Sequence, residues 1–428
     1  MQKKPEYTKI TRTDGSWLRT FMRGCENVET SESYDFWTGM WLLSNVIGRK
    51  LTVLRPYAPV FMNLYVVLCA ESGITRKTTA VRRAIELLTA YDARYKPGLC
   101  IGTGGTTPEG LDNMLLGMSD RHNHAHAALA STELVTLLGK ERYNASLPGR
   151  LTDLYDCPST YMRQSAGYGR VDIRNVYVTL LGASTPSWLV RAVNPDVVEG
   201  GFTSRCLFAI EDKPKRLIAW PELNAVDDDM LLSRLAHVAE QRDYILKRVG
   251  GINLAPLARQ EFTDWYERRK LVNDPYGASF QAREDHHVLR IAGLLCASDD
   301  SWEIDVHHIQ HAMQLVAYLR SLGASLFGTG LASSKTYALV DRIRGALVEA
   351  GTSGLSQSHL SSICRKIGSG PDVREVLRIM HEMGLIQKFV IQAGDIGGAP
   401  TTIYRATKSI ASNKALEDVV DTINPPEE

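Results

Sequence analysis

The sequence predicts an α/β protein built on a parallel sheet with helices on both faces, followed by a helical segment and a small separate unit. Three observations predict it. Short, continuous apolar runs alternate with stretches of helical periodicity from about residue 51 to 212. A polar, lysine-bearing segment, ESGITRKTT (71–79), stands between the first of those runs and the helix after it. From about 221 onward the pattern is helical until a Gly- and Ser-containing stretch, GTGLASS (328–334), after which a short alternation of helix and strand signals begins. Strands alternating with helices imply parallel pairing with both faces covered.

The first fifty residues read as helical. In SESYDFWTGMWLLSNVIGR, Phe36, Met40, Leu43 and Ile47 recur at three- and four-residue spacing, which gives one apolar face. Residues 1–50 are expected to form an N-terminal helical collar, and residues 51–220 the core. NLYVVLCA (63–70) has the unbroken apolarity of a strand buried on both faces. A helix follows at about 77–92, then a strand in GLCIGTGG. Thr107 followed by Pro108 marks a helix start, a capping hydroxyl with proline in the first helical position. HAALAS (126–131), NVYVTLLGAS (175–184) and CLFAI (206–210) supply three more strands. Residues 221–328 read as a helical lid. In residues 335–406, three helices are followed by a hairpin signal, LIQKFVIQ and TTIYRA around a GDIGGAP turn, which is the layout of a winged helix. Residues 407–428 read as a disordered tail.

Composition excludes some classes. Lys plus Arg is 49 against 48 for Asp plus Glu, so any nucleic-acid contact must come from a local patch and not from overall charge. The N-terminus lacks the apolar core of a signal peptide, and no run reaches the roughly 18 uncharged apolar residues that span a bilayer. No membrane partner and a cytoplasmic location are therefore expected. The seven cysteines are scattered without a CxxC pair, which reads as reduced thiols. His307 and His311 are four apart on a helix, but no carboxylate or cysteine joins them at metal-site spacing.

The chemistry concentrates at 71–79. A strand before and a helix after is the context of a phosphate-binding loop, in which backbone N–H groups and a helix N-terminus receive a polyphosphate. Ser72, Gly73, Ile74, Thr75, Arg76, Lys77, Thr78 and Thr79 would form it. Lys77 supplies the cation for the phosphates of ATP, and Thr78 the hydroxyl for Mg²⁺. The usual pattern is GxxxxGK[ST]; here Glu71 and Arg76 occupy the glycine positions. The alternative is a polar turn with an ordinary Lys-Thr helix start. Glu133, just after the HAALAS strand, is the candidate for positioning the attacking water. Thr132 precedes it where aspartate is usual, and a helix-capping carboxylate is the alternative. Ser184 ends its strand beside Thr185 and Pro186, so a γ-phosphate sensor and a helix cap are both open. Arg205 in GGFTSRCLF lies just before a strand, where it could reach a neighbour's phosphate or make a surface ion pair. Arg283 and Arg290 are seven apart on one helix face, and either could contact nucleotide.

The ordered segments WLLS, NLYVVL, ESGITRKTT, TTPEGL, STELVTLLG, LTDLYDCP, VTLLGASTPSWL and GGFTSRCLF resemble a phage and prophage family of primase-associated, helicase-like ATPases. That family is similar to the superfamily-three and minichromosome-maintenance helicases of the AAA+ class. The likeness runs from about 16 to 325. It implies a P-loop AAA+-like fold in which SGxxxK[ST] replaces the full glycine pattern. By this resemblance Lys77 and Thr78 hold phosphate and Mg²⁺, Glu133 is the acidic residue of the second motif, and Ser184 lies in the sensor strand. Arg205, in an SRC run similar to SRF, is a finger acting on the next subunit, and Arg290 is the helical lid arginine. A hexameric ring on single-stranded or forked DNA, a separate primase or polymerase, and a bacterial host cell are the implied partners and setting. DNA is expected at the hairpin TYMRQSAGYGRVDIRN (160–175), through Arg163, Arg170, Arg174 and a stacking Tyr168. In the winged helix, Arg365, Lys366, Arg374 and Arg378 are the candidates. A second function fits the missing aspartate and glycines: a degenerate nucleotide-binding helicase loader or DNA-binding regulator.

Overall fold

The computed structural model describes residues 3–428 apart from 12–14, 96–97, 139–145, 166–168, 193–200, 221, 223–225, 271, 273–274, 332–333, 366, 392–400, 408–418, 420–421 and 423–428. The chain divides into two compact units, Met1–Ser325 and Leu326–Glu428. No helix among the described residues is long and apolar enough to cross a membrane.

The first unit is built on a five-stranded parallel sheet. Its strands are β3 (Tyr65–Cys69), β4 (Cys100–Gly102), β5 (Ala125–Ser131), β8 (Val176–Ser184) and β9 (Cys206–Ile210), in the spatial order β4-β5-β8-β3-β9. Every residue of β3, β5 and β8 is buried, as their unbroken apolarity requires of strands covered on both faces. Short antiparallel pairs flank them: β1 (Thr52–Val53) with β2 (Val60–Phe61), and β6 (Thr160–Ser165) with β7 (Gly169–Arg174). The register places Cys69 opposite both Ser184 and Ile210, so the C-terminal ends of β3, β8 and β9 are level. The chain visits β3 first, crosses to the far edge at β4, and returns to both sides of β3. At such a switch in strand order, ligands sit outside the C-terminal strand ends.

The helices that matter for this edge are α3 (Lys77–Tyr95), α4 (Pro108–His122), α5 (Leu134–Leu138), α6 (Leu147–Tyr155) and α7 (Pro186–Ala192). Thr107 caps α4 by accepting the Gly110 N–H, with Pro108 in the first turn. Before them lie α1 (Trp17–Arg23) and α2 (Glu32–Ile47). The second of them, α2, is packed inside the unit, and Ser33–Ile47 are all buried. The polar side chains on its non-apolar face make this possible: Thr38 donates to the Tyr34 carbonyl, and Ser44 and Asn45 to the Trp41 carbonyl. A buried hydroxyl or amide that satisfies itself along its own helix reads in sequence like an exposed one.

Downstream are α8 (Asp228–Arg248), α9 (Pro256–Glu267), α10 (Pro275–Gln281), α11 (Glu284–Ser298) and α12 (Val306–Leu331), with a short parallel pair, β10 (Asn253–Leu254) and β11 (Glu303–Ile304), among them. Fourteen of the fifteen residues of α11 are buried, so it belongs to the packed interior. The helical run of α12 continues through 328–331, where the sequence reads as the start of a linker. Extending a formed helix adds one hydrogen bond per residue, and this offsets the roughly 1 kcal/mol that glycine costs.

The second unit has α13 (Ser334–Ala350), β12 (Leu355–Ser356), α14 (Gln357–Ile363), α15 (Gly370–Glu382), β13 (Ile386–Ile391) and β14 (Thr401–Ala406). Its antiparallel sheet has the order β12-β14-β13. A capping box between Ser369 and Asp372 starts α15, and Val373, Val376, Leu377 and Met380 line its buried stripe. Each such side chain contributes roughly 2 kcal/mol on burial.

Candidate functional site

The loop between β3 and α3 is shaped by two left-handed residues, Gly73 (φ 80°) and Arg76 (φ 51°). Arg76 stands where glycine is usual and takes the glycine-like conformation, at a cost of about 1–2 kcal/mol. Its side chain reaches Glu29 (Nη2 to Oε2, 2.9 Å), whose other oxygen accepts the Ile218 N–H at 2.8 Å. Those two hydrogen bonds, Ile218 first, hold the Glu29 carboxyl below its ordinary range. Thr75 is buried and donates to the Tyr34 hydroxyl, which donates to the Cys69 carbonyl at 2.7 Å. The buried helix α2 thus ties down the strand that carries the loop.

A cavity of about 460 Å³ opens at the C-terminal strand ends, within the range of small-molecule sites. Its lining brings Ser72, Gly73, Arg76, Lys77, Thr78 and Thr79 together with Thr132, Glu133, Ser184, Thr185 and Trp188. Segments more than a hundred residues apart in sequence converge because β5, β8 and β3 are adjacent and parallel, with β3 and β8 ending level and β5 ending opposite Gly182, two residues earlier. Lys77 is half-buried at the first turn of α3, with its ammonium 3.0 Å from the Ala70 carbonyl and 3.2 Å from that of Glu71. Ile74 and Thr75 belong to the loop without lining the cavity; Ile74 is exposed and Thr75 faces α2.

Glu133 is exposed at the mouth. Ser131 fixes its backbone by donating to the Glu133 carbonyl (2.6 Å) and accepting its N–H (3.2 Å). Leu134 then packs on Gly182, where an added Cβ would lie 2.7 Å from Leu134 Cδ1. Gly182 is thus what lets α5 seat over the sheet and present Glu133. A Gly182→Val substitution is expected to displace Leu134 and with it Glu133, so that any nucleotide turnover at this cavity falls by about tenfold while nucleotide affinity is retained. Parallel measurements of kcat and of nucleotide Kd check it, and an unchanged kcat would remove Gly182 from this role. Ser184 is buried at the end of β8 and faces the cavity, while Thr185 Oγ1 accepts the Trp188 N–H as the cap of α7. Glu133 is the sole carboxylate among the described residues of the lining. A lysine, a threonine hydroxyl and a carboxylate around a helix N-terminus fit a magnesium-bound polyphosphate.

Arg205 and Arg290 lie elsewhere. Arg205 closes a short 3₁₀ turn, Thr203–Arg205, at the N-terminal end of β9, level with Tyr65. About 13 Å of strand separates it from the phosphate-loop end of the sheet. It is 6% exposed, donates to the Gly201 carbonyl (2.8 Å) and to Asp156 (3.3 Å). Arg290 is buried at the same edge, 3.9 Å over the Tyr155 ring and 3.0 Å from the Asn63 carbonyl, and does not line the cavity. Between them, His287 Nε2 sits 2.8 Å from the Ser204 carbonyl and Nδ1 3.4 Å from the Tyr155 hydroxyl.

Burial pushes the His287 imidazole down to about 3. In the unfolded chain it takes a proton near 6.5, so the unfolded state binds more protons as pH falls from 6.5 towards 3, and stability is lost across that window. His287→Gln is expected to flatten the acid side of a Tm-versus-pH curve relative to the parent; parallel curves below pH 6.5 would deny this residue the effect.

At the hairpin, Arg163 is held by Asp112 (2.6 Å) and Glu109 (3.6 Å) of α4. Arg170 pairs with Asp172 at 3.0 Å, and Arg174 reaches Asn123 at 3.5 Å. Each proposed phosphate contact therefore has an acceptor within the chain. Tyr168 and Lys366 lie outside the described residues. In α15, Arg374 is exposed, and Arg378 is clamped between Glu375 and Glu382 at 2.7 Å each. The acidic partners, like Glu29, Tyr34, Gly182 and Asp156, carry no local signal in sequence, because each acts across a long separation or reads as ordinary surface or core.

A five-stranded parallel sheet flanked by helices, with a lysine-bearing loop between its first strand and helix, is consistent with a nucleotide-binding fold of the P-loop type. Among solved structures, the chain is similar to a full-length MCM homolog from Methanopyrus kandleri: 16% identity, TM-score 0.42, covering 75% of this chain and 62% of that one. The chain thus spans less than two thirds of that protein. No family model and no curated protein matches.

Proposed function

We propose that the chain is an ATP-hydrolysing motor that assembles into a ring, a hexamer by the sequence resemblance, and translocates on single-stranded DNA as the replicative helicase of a phage or mobile element. The observation that carries this reading is the single cavity that gathers Lys77, Thr78, Glu133 and Ser184. Lys77 would balance the charge of the outer phosphates, and the Thr78 hydroxyl would be a ligand of Mg²⁺. Mg²⁺ when bound supplies charge neutralisation to the polyphosphate. Glu133 would orient the attacking water, and Ser184 would hydrogen-bond the terminal phosphate. Arg205 cannot reach the cavity of its own chain along the strand, so it would act on that of a neighbour. Residues 335–406 would form a winged helix, with Arg374 on its exposed helix face, and a primase or polymerase would be a separate chain.

The test is ATP hydrolysis by the purified chain with and without single-stranded DNA. Turnover stimulated by DNA is expected, followed by unwinding of a forked duplex. ATP binding without turnover would favour a second reading, a helicase loader or DNA-binding regulator. One observation favours that alternative: Glu133 is the lone carboxylate in the described lining, with Thr132 beside it where a second would help hold Mg²⁺.

A further inference from the structure

Arg205 and Arg283 converge on one carboxylate at the N-terminal edge of the sheet. Arg205 Nη2 is 3.3 Å from Asp156 Oδ2, and Arg283 Nη1 is 3.6 Å from Asp156 Oδ1. Arg290 lies over Tyr155, the preceding residue. Two guanidinium groups therefore share the one carboxylate that pairs with them among the described residues, a third lies over the neighbouring Tyr155 ring, and His287 close by is kept neutral by burial. The cluster carries more positive charge than Asp156 can offset. It also holds unused donors: the Nε–H groups of Arg205 and Arg290 are buried and have no hydrogen-bond partner. Both residues are more than nine-tenths buried. A buried guanidinium N–H without an acceptor is costly, and an oxygen-rich anion would recover that cost. Asp156 is the accessible member, with its side chain 53% exposed, and Arg283 is next at 29%. Guanidinium forks receive phosphate with the same geometry as carboxylate.

We propose that Asp156, Arg205 and Arg283 form a second anion site, which receives the terminal phosphate of a nucleoside triphosphate held by another copy of the chain. The Asp156 carboxylate is a stand-in for that phosphate, clamping both guanidiniums until the phosphate displaces it. This rests on the reading of Arg205 given above. Arg283 then acts beside Arg205, and Asp156 opposes occupancy. Removing its charge tightens the site, whereas removing Arg283 weakens it.

The experiment titrates inorganic pyrophosphate by calorimetry into the full chain carrying Lys77→Ala, which cripples the phosphate loop. Adding Asp156→Asn is expected to tighten pyrophosphate by about tenfold, and further adding Arg283→Ala to reverse the gain. Asp156→Ser is the second variant, and melting curves establish that each chain is folded. Unchanged or weaker affinity in both folded Asp156 variants overturns the proposal. The turnover of Arg205→Ala, in a chain with Lys77 intact, separates the two failures. If it is inactive while pyrophosphate affinity ignores Asp156, the stand-in role alone is lost. If it turns over ATP normally, the reading of Arg205 is lost, and with it the assignment of the ligand to another copy, even where Asp156→Asn binds pyrophosphate more tightly.

Discussion

Lys77→Ala is expected to reduce ATP turnover by a factor on the order of 10³, the scale of removing one preorganised charge donor from a transition state. The ammonium lies at the first turn of α3, against the Ala70 and Glu71 carbonyls, so it is already aimed at the mouth of the loop. Its removal takes away charge that no other lysine among the described cavity residues supplies. The side chain is half-buried and makes no ion pair in the cavity, so the variant should melt within about a degree or two of the parent. Turnover is measured with single-stranded DNA present, beside a melting curve. A folded Lys77→Ala chain with parental turnover would remove the loop from the chemistry and, with it, the motor.

The second large effect is expected at Arg205. Arg205→Ala should lower turnover by about 10³, as loss of an arginine finger does, while nucleotide Kd changes little. The separation follows from position: Arg205 stands at the opposite strand end from the cavity that binds the nucleotide. Mixing Arg205→Ala chains with Lys77→Ala chains should restore part of the activity, since one partner brings an intact loop and the other an intact arginine. Arg205 is buried against Asp156 and the Tyr155 ring, so the variant should also melt a few degrees lower; assays belong well below that transition. Parental turnover by Arg205→Ala, or mixtures as inactive as their components, would sink the assignment in trans.

Several of the residues that line the cavity were legible because their signals are local. Lys77 and Thr78 follow a buried strand and open a helix, and that adjacency survives the loss of both glycines. Glu133 and Ser184 could be named because each ends an apolar run. Arg76 was legible only as a departure; that it adopts the left-handed conformation and turns its side chain to Glu29 depends on a partner forty-seven residues away. The hairpin was legible as a hairpin, from two β-prone runs around SAGYG. Its arginines were not legible as occupied, because Asp112 and Glu109 come to Arg163 from a helix fifty residues earlier.

Sequence by itself determined the elements and their order: five strands, the loop between the first strand and its helix, and the helix-and-hairpin unit at the C-terminus. Strand apolarity, helix period and turn chemistry are properties of neighbouring residues, and they can be read without knowing what packs against them. Only the tertiary structure decided that α2 is an interior helix supporting the loop through Tyr34, that Gly182 seats α5 beneath Glu133, and that Arg205, Arg283 and Asp156 meet. Those facts depend on strand order and register, which place residues from distant parts of the chain side by side at one end of a sheet or the other. Because β3, β8 and β9 run parallel and level, one end collects the loop, Glu133 and Ser184, and the other collects the arginines.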